Sequence, residues 1–198
     1  MNPKKILRTI ESYLNLKPIK MPKIEEDPKY LRGIGTAAVI QDETGLTIKI
    51  KDKSKLERLD EEFTHIVDIV SGTPTRILEY DCPVKYRNRF YDNVLIEALG
   101  YYGSKIVTPR RTPIRIKHEG LKESIERKEW KKLKDFYQGD LDLDRRTWHE
   151  IGYDLGEKIY RYIQKTGNKE PILSLLIKNR GGKKPFEVYK KILKQVTK

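Results

Sequence analysis

The sequence predicts an α+β fold, in which a small mixed sheet with a β-hairpin is followed by a helical C-terminal region. Alternating polar and apolar residues flank a turn signal in the first half, whereas apolar residues at helical spacing dominate beyond residue 119. At 198 residues the chain is long enough for one domain with a sizeable core. We therefore expect an N-terminal helix and proline-rich arm over residues 1–30, an α/β core over 31–118, and a helical region over 119–198 packed on that core.

The N-terminal segment predicts a short amphipathic helix over residues 4–16. Its apolar residues recur at helical spacing, and they are Ile6, Leu7, Ile10, Tyr13 and Leu14. Three prolines between residues 17 and 30 bias the chain toward extended geometry, which indicates a linker or an arm laid across a surface. Such a helix and arm can dock on another chain, so residues 1–30 are a candidate segment for a protein partner.

The clearest element of the predicted core is a β-hairpin. Residues 34–41 and 46–51 are β-rich runs on either side of the turn sequence Asp42-Glu43-Thr44-Gly45. The pattern then predicts a short helix ending at Glu62 and a buried strand over residues 63–70.

An α/β connection is predicted next along the chain. An apolar stretch over residues 77–82 precedes a helix over residues 85–99. Gly100 or Gly103 can end that helix, and residues 105–108 then read as a strand.

The last 80 residues or so predict helices joined by short loops. Apolar residues at helical spacing mark four segments, at residues 121–136, 148–163, 172–177 and 186–196. The loops between them are short enough for antiparallel packing.

Charge is the strongest functional signal in the sequence. The formal net charge is +13, and residues 101–198 carry 25 Lys and Arg against 13 Asp and Glu, whereas residues 1–100 carry 17 against 16. An excess of this size favours a polyanionic partner, because every neutralised phosphate releases condensed counterions. The sequence therefore predicts a nucleic-acid-binding protein, for DNA or RNA, that contacts mainly the backbone and serves as a subunit of a larger nucleoprotein complex.

Composition indicates an intracellular protein of a thermophile. Lys and Glu abound, and Cys82 is the only cysteine, which excludes an internal disulfide. No apolar run approaches the roughly 18 residues that span a bilayer, and acidic residues occur too early for a secretory signal. We expect a cytoplasmic protein that does not enter the membrane.

The first candidate binding cluster interleaves cations with aromatic rings. It comprises Lys85, Arg87, Arg89 and Tyr91 within the sequence Lys85-Tyr86-Arg87-Asn88-Arg89-Phe90-Tyr91. Cations suit phosphates, and aromatic faces suit unpaired bases. If the segment opens a helix, Tyr86 and Phe90 belong to the core, and the alternative interpretation is a solvated basic face.

The second candidate cluster surrounds a predicted turn at Thr112-Pro113. It comprises Arg110, Arg111, Arg115 and Lys117. Residues 83–117 hold 8 Lys and Arg against 2 Asp and Glu, a local charge of +6. Arginines at the tip of a turn can reach a groove or a phosphate backbone.

The third candidate cluster precedes and enters the last helix. It comprises Lys178, Arg180, Lys183 and Lys184 around Gly181-Gly182, and residues 178–198 carry 8 Lys and Arg against 1 Glu, a charge of +7. A glycine turn before a helix N-terminus exposes backbone N–H groups that can bind phosphate, although the P-loop consensus is absent. The alternative interpretation is a helix end with lysines that keep the surface soluble.

Catalysis has weaker support in the sequence. The three histidines are far apart and one cysteine cannot build a cysteine-rich zinc site, so we expect neither a metal site nor a cofactor. The alternative function is a Mg²⁺-dependent nuclease that uses Asp68, Glu79 or Asp81, and Lys85, because carboxylates on adjacent strands hold such an ion near a phosphate.

A second alternative comes from a family resemblance. It rests on Gly152, Leu155, Gly156, Leu175, Leu176, Arg180, Phe186, Ile192 and Leu193. Through these positions residues 150–193 resemble the helical C-terminal part of large subunits in CRISPR surveillance complexes. The resemblance covers less than a quarter of the chain, and it implies a helical subunit that grips guide or target nucleic acid.

Overall fold

A computed structural model describes residues 2–32, 37–43, 45–52, 59–70, 83–110, 141–178 and 185–197 of the chain. Residues 41, 42, 83–89, 141–147 and 178 are described by their backbone alone. A three-stranded mixed sheet accompanies mostly helical structure, which confirms the predicted α+β class. The elements predicted at residues 77–82 and 121–136 lie outside the described residues.

The chain divides into two compact units whose boundaries differ from the predicted ones. The first unit is Met1–Thr73 with Gly103–Arg110, and the second is Pro74–Tyr102 with Arg111–Lys198. The elements of the first unit are α1 (Pro3–Leu14), β1 (Lys23–Glu26), β2 (Ala37–Asp42), β3 (Gly45–Ile50) and α2 (Leu59–Val70).

Helix α3 (Pro83–Val107) contributes residues 83–102 to the second unit and its last turn to the first. The other elements of the second unit are α4 (Leu141–Thr166), α5 (Glu170–Leu173), a π-helical segment (Ser174–Lys178) and α6 (Pro185–Val196).

The sheet confirms the predicted hairpin and adds a strand that the sequence did not indicate. Strands β2 and β3 are antiparallel, with Asp42 opposite Gly45, so the turn signal joins them directly. Strand β1 lies on the other side of β3 and is parallel to it, in the order β1-β3-β2. Within the linker or surface arm predicted over residues 17–30, residues 23–26 thus form an edge strand of the sheet.

An ion pair on α1 holds the chain that leads into β1. Arg8 contacts Glu11 at 2.5 Å, and the carboxylate of Glu11 is 3% exposed. The other Glu11 oxygen accepts the backbone N–H of Ile19 at 2.8 Å, while Arg8 donates to the Ile19 carbonyl at 3.1 Å. Because both backbone groups of Ile19 are satisfied, the proline-rich stretch is fixed at the point where it turns toward the sheet.

Helix α1 has the predicted amphipathic pattern, and its apolar side is covered within the first unit. Ile6, Leu7 and Ile10 are buried, and α1 packs against α2. Asn2 caps the helix by accepting the N–H of Lys4, and Asn15 ends it in the left-handed region at φ 56°. Since the apolar side is already buried, α1 does not offer it to the protein partner that the sequence suggested.

The segment predicted as a buried strand over residues 63–70 is the C-terminal two thirds of helix α2, so that prediction was wrong. Its β-branched residues favour a strand locally. Leu59, Phe63, Ile66 and Val67 nevertheless recur at helical spacing, and all are buried in the first unit. Packing of this stripe against α1 outweighs the local preference, which amounts to only a few tenths of a kcal/mol per residue.

Helix α3 runs past the point where the sequence predicted a glycine stop and a strand. Gly103 lies inside the helix, and a Cβ there would overlap the side chain of Thr64 on α2. The glycine therefore permits a close helix–helix approach within the first unit and does not end the helix. The predicted strand over residues 105–108 was wrong, because α3 continues to Val107.

Two glycines bring α4 close to α3 in the second unit. A Cβ on Gly152 would lie 2.5 Å from the Cβ of Glu97, and one on Gly156 would lie 2.7 Å from the carbonyl oxygen of Ala98. The two glycines are four residues apart, so they occupy successive turns of one face of α4. Their missing side chains let the two helices approach until backbone meets backbone.

Candidate nucleic-acid interface

The first basic cluster lies on the opening turns of α3. The backbone of Lys85, Arg87 and Arg89 is helical, while their side chains lie outside the described part of the structure. The helix predicted over residues 85–99 is thus confirmed, and the contacts predicted for these three cations stay predictions.

Tyr91, the fourth member of this cluster, is buried. Its side chain is 4% exposed, and its ring lies 4.6 Å from the ring of Tyr189 and 4.8 Å from that of Phe186, between centroids. Phe90 meets it edge to face at 5.4 Å. A ring enclosed in this way cannot stack on a base, so the burial contradicts the contact predicted for Tyr91, which instead anchors α6 to α3.

Only one member of the second basic cluster is described. Arg110 is exposed in the turn that follows α3. Arg111, Arg115 and Lys117 lie outside the described residues, and the division between the two units falls between Arg110 and Arg111.

The third basic cluster leads into helix α6. Lys178 is the last residue of the π-helical segment, and its side chain is not among those described. Arg180, Lys183 and Lys184 lie between the described ranges.

Helix α6 itself carries a basic face that the predicted binding set does not include. Val188 and Ile192 are fully buried, whereas Lys190, Lys191 and Lys194 are exposed. The amphipathic pattern of residues 186–196 contains this face, because positions i, i+1 and i+4 lie on one side of a helix. We call these three lysines the α6 lysine face.

Two members of the α6 lysine face have no acidic partner among the described residues. Lys190 pairs with Glu187 at 2.8 Å, and its ammonium lies 4.8 Å from the centre of the Phe186 ring. Within the described ranges no carboxylate lies within ion-pair distance of Lys191 or Lys194. Two cations on adjacent turns therefore stand open to solvent and to an incoming anion.

Several cations elsewhere in the described structure form ion pairs. On α4, Lys158 pairs with Asp154 at 2.6 Å and Arg161 with Glu157 at 2.8 Å, and the Glu157 carboxylate raises the pKa of Arg161. In the first unit Lys49 lies 2.6 Å from Asp27, and their hydrogen bond raises the pKa of Lys49 and lowers that of Asp27. Each of these pairs offsets one positive charge at its own position.

The excess positive charge is divided unequally between the two units. The first unit carries 15 Lys and Arg against 12 Asp and Glu, a net charge of +3. The second unit carries the remaining 27 against 17, a net charge of +10. The basic excess therefore belongs mainly to the unit that contains α6.

One residue of the alternative nuclease hypothesis, Asp68, does not lie on a strand as the sequence suggested. Asp68 lies on helix α2, where it is 3% exposed. Glu79 and Asp81 lie outside the described residues, and Lys85 is described by its backbone only.

Comparison with family models, with curated proteins and with solved structures found no match for this chain. The resemblance of residues 150–193 to CRISPR large subunits accordingly stays a prediction. Among the described residues, no helix is long and apolar enough to cross a membrane.

Proposed function

We propose that this protein binds nucleic acid through its second unit, with the α6 lysine face as a principal contact to the phosphate backbone. The observation that carries the proposal is the exposure of Lys190, Lys191 and Lys194 on one side of a helix whose other side is buried. Lysines on successive turns of one helix face, two of them without an acidic partner among the described residues, suit sequence-independent contacts to phosphates.

The anchoring of α6 supports this function. The Tyr91 ring packs against both Phe186 and Tyr189, on the first two turns of α6. A helix held by aromatic contacts presents its lysines from a fixed backbone, so less conformational entropy is lost on binding than with a loose tail.

Replacing Lys190, Lys191 and Lys194 together by glutamine is expected to weaken nucleic-acid binding about 10- to 100-fold at moderate salt. The slope of log affinity against log salt concentration should fall by about one for every lysine that contacts a phosphate. Fluorescence anisotropy with labelled single- and double-stranded DNA and RNA, over a range of salt concentrations, measures both quantities and identifies the preferred nucleic acid.

A charge-matched variant separates this contact from a general effect of net charge. Lys4, Lys5 and Lys17 are exposed in the first unit, and their replacement by glutamine also removes three positive charges. This control should retain the wild-type slope. Equal losses in both triple variants, or no binding of any nucleic acid by the wild-type protein, would contradict the proposal.

The second basic cluster provides a separate test of nucleic-acid binding, and its described member, Arg110, belongs to the first unit. We expect the double change Arg110→Ala and Arg111→Ala to lower both the affinity and its salt slope, because arginines at the turn that the sequence predicts can reach a phosphate backbone. Each lost contact should reduce the slope by about one. An unchanged slope in the same anisotropy assay would show that Arg110 and Arg111 do not contact phosphates.

A further inference from the structure

The seam between α3 and α4 brings a carboxylate and an imidazole together. The Nε2 atom of His149 on α4 lies 3.2 Å from Oε1 of Glu97 on α3. These residues are far apart in the sequence and fit no metal-binding motif, so the sequence indicated no site here. Both belong to the second unit.

The glycine contacts of α4 fix this pair in place. Gly152 follows His149 by one turn, and a Cβ on it would lie 2.5 Å from the Cβ of Glu97. The two side chains therefore extend from the point of closest approach of the helices, where the backbones are least free to move. Sites built on rigid helices keep the geometry of their ligands better than sites on loops.

Aromatic neighbours restrict the imidazole. The Trp148 ring is stacked at 6.2 Å from it and the Tyr153 ring meets it edge to face at 6.1 Å, between centroids. The His149 side chain is 39% exposed and that of Glu97 13% exposed, so solvent and small solutes reach the pair from one side.

We propose that Glu97 and His149 are two ligands of a divalent transition-metal ion such as Zn²⁺ or Co²⁺. An ion bound to both His149 Nε2 and Glu97 Oε1 through bonds of about 2.0–2.2 Å would have an N–metal–O angle of about 100°. That angle is close to tetrahedral. Imidazole and carboxylate together suit such ions. With these two groups bound, water fills the remaining positions, so the ion has fewer protein ligands than the three of a catalytic zinc site and exchanges readily.

Titration of the untagged, EDTA-treated full-length protein with Co²⁺ tests this site. Visible ligand-field absorption reports the coordination, and competition with Zn²⁺ gives its affinity. Glu97→Gln and His149→Gln should each weaken Co²⁺ binding about tenfold or more, a loss that even outer-shell changes can reach. The double variant should be little weaker than either single one, because both ligands serve one ion.

Glu187→Gln is the matched control, because that carboxylate lies on α6 and pairs with Lys190. It should change Co²⁺ affinity less than twofold. Thermal unfolding in EDTA checks that each variant folds, and in the wild-type protein stoichiometric Zn²⁺ should shift the imidazole NMR signals of His149. No metal binding by the wild type, an unshifted His149, or a folded Glu97 or His149 variant with wild-type affinity overturns the proposal.

Discussion

Gly152→Ala and Gly156→Ala are each expected to destabilise the protein by about 1–3 kcal/mol, even though alanine is the better helix former. At an unconstrained helical position this substitution stabilises by up to about 1 kcal/mol. Here the new Cβ would lie 2.5 Å from the Glu97 Cβ at position 152 and 2.7 Å from the Ala98 carbonyl oxygen at position 156. The obstacles include backbone, which cannot rotate away as a side chain can, so the helices must separate.

Chemical denaturation followed by circular dichroism measures this effect, and the double variant should lose more than either single one. Gln164→Ala is a suitable control, since Gln164 is exposed on the last turns of α4. Its effect should stay within about 0.5 kcal/mol. If Gly152→Ala raised the free energy of unfolding, the close approach of α3 and α4 would not exist in solution.

The second large effect is expected at Asp60, on the first turn of α2. The residue is 1% exposed. One carboxylate oxygen accepts hydrogen bonds from the hydroxyls of Ser104 at 3.0 Å and Thr108 at 3.2 Å. The other oxygen accepts a hydrogen bond from the backbone N–H of Glu61 at 2.8 Å. Asp60→Ala leaves these donors without their acceptor and opens space in the first unit. We expect a loss of about 2–4 kcal/mol in the free energy of unfolding.

Two further variants identify the cause of that loss. Asp60→Asn keeps the shape of the side chain and one acceptor oxygen, so it should cost less than Asp60→Ala. In a double-mutant cycle, Ser104→Ala should cost much less in the Asp60→Ala background than in the wild type. Additive effects of the two changes would show that the carboxylate does not bind the end of α3 to α2.

Strong periodicity made several elements predictable. The hairpin follows from two β-rich runs around one turn signal, and α1 and α6 follow from apolar residues every three to four positions. In each case the local preference and the tertiary environment agree. The basic face of α6 was contained in the same pattern, although the predicted binding set stopped at Lys184.

Other elements were not predictable because distant contacts outweigh local preference. The run Ile66-Val67-Asp68-Ile69-Val70 has strand-forming residues, but it is helical where it packs on α1. In the sequence, Gly103 looks like a residue that ends a helix. In the structure it lies against the side chain of Thr64, where a Cβ would not fit. Residues 23–26 become a strand because β3 offers a free edge that is distant in sequence.

The sequence by itself determined the α+β class, the amphipathic helices and the basic excess, because each of these depends on composition or on short-range periodicity. Tertiary structure alone decided which residues are available for binding and chemistry. In the folded chain Tyr91 is buried, Lys191 and Lys194 are exposed, and Oε1 of Glu97 lies 3.2 Å from Nε2 of His149. Burial and the distance between ligand atoms depend on which helix faces pack together. The glycines at positions 152 and 156 allow α4 to pack closely on α3, a contact that exists only in the folded chain.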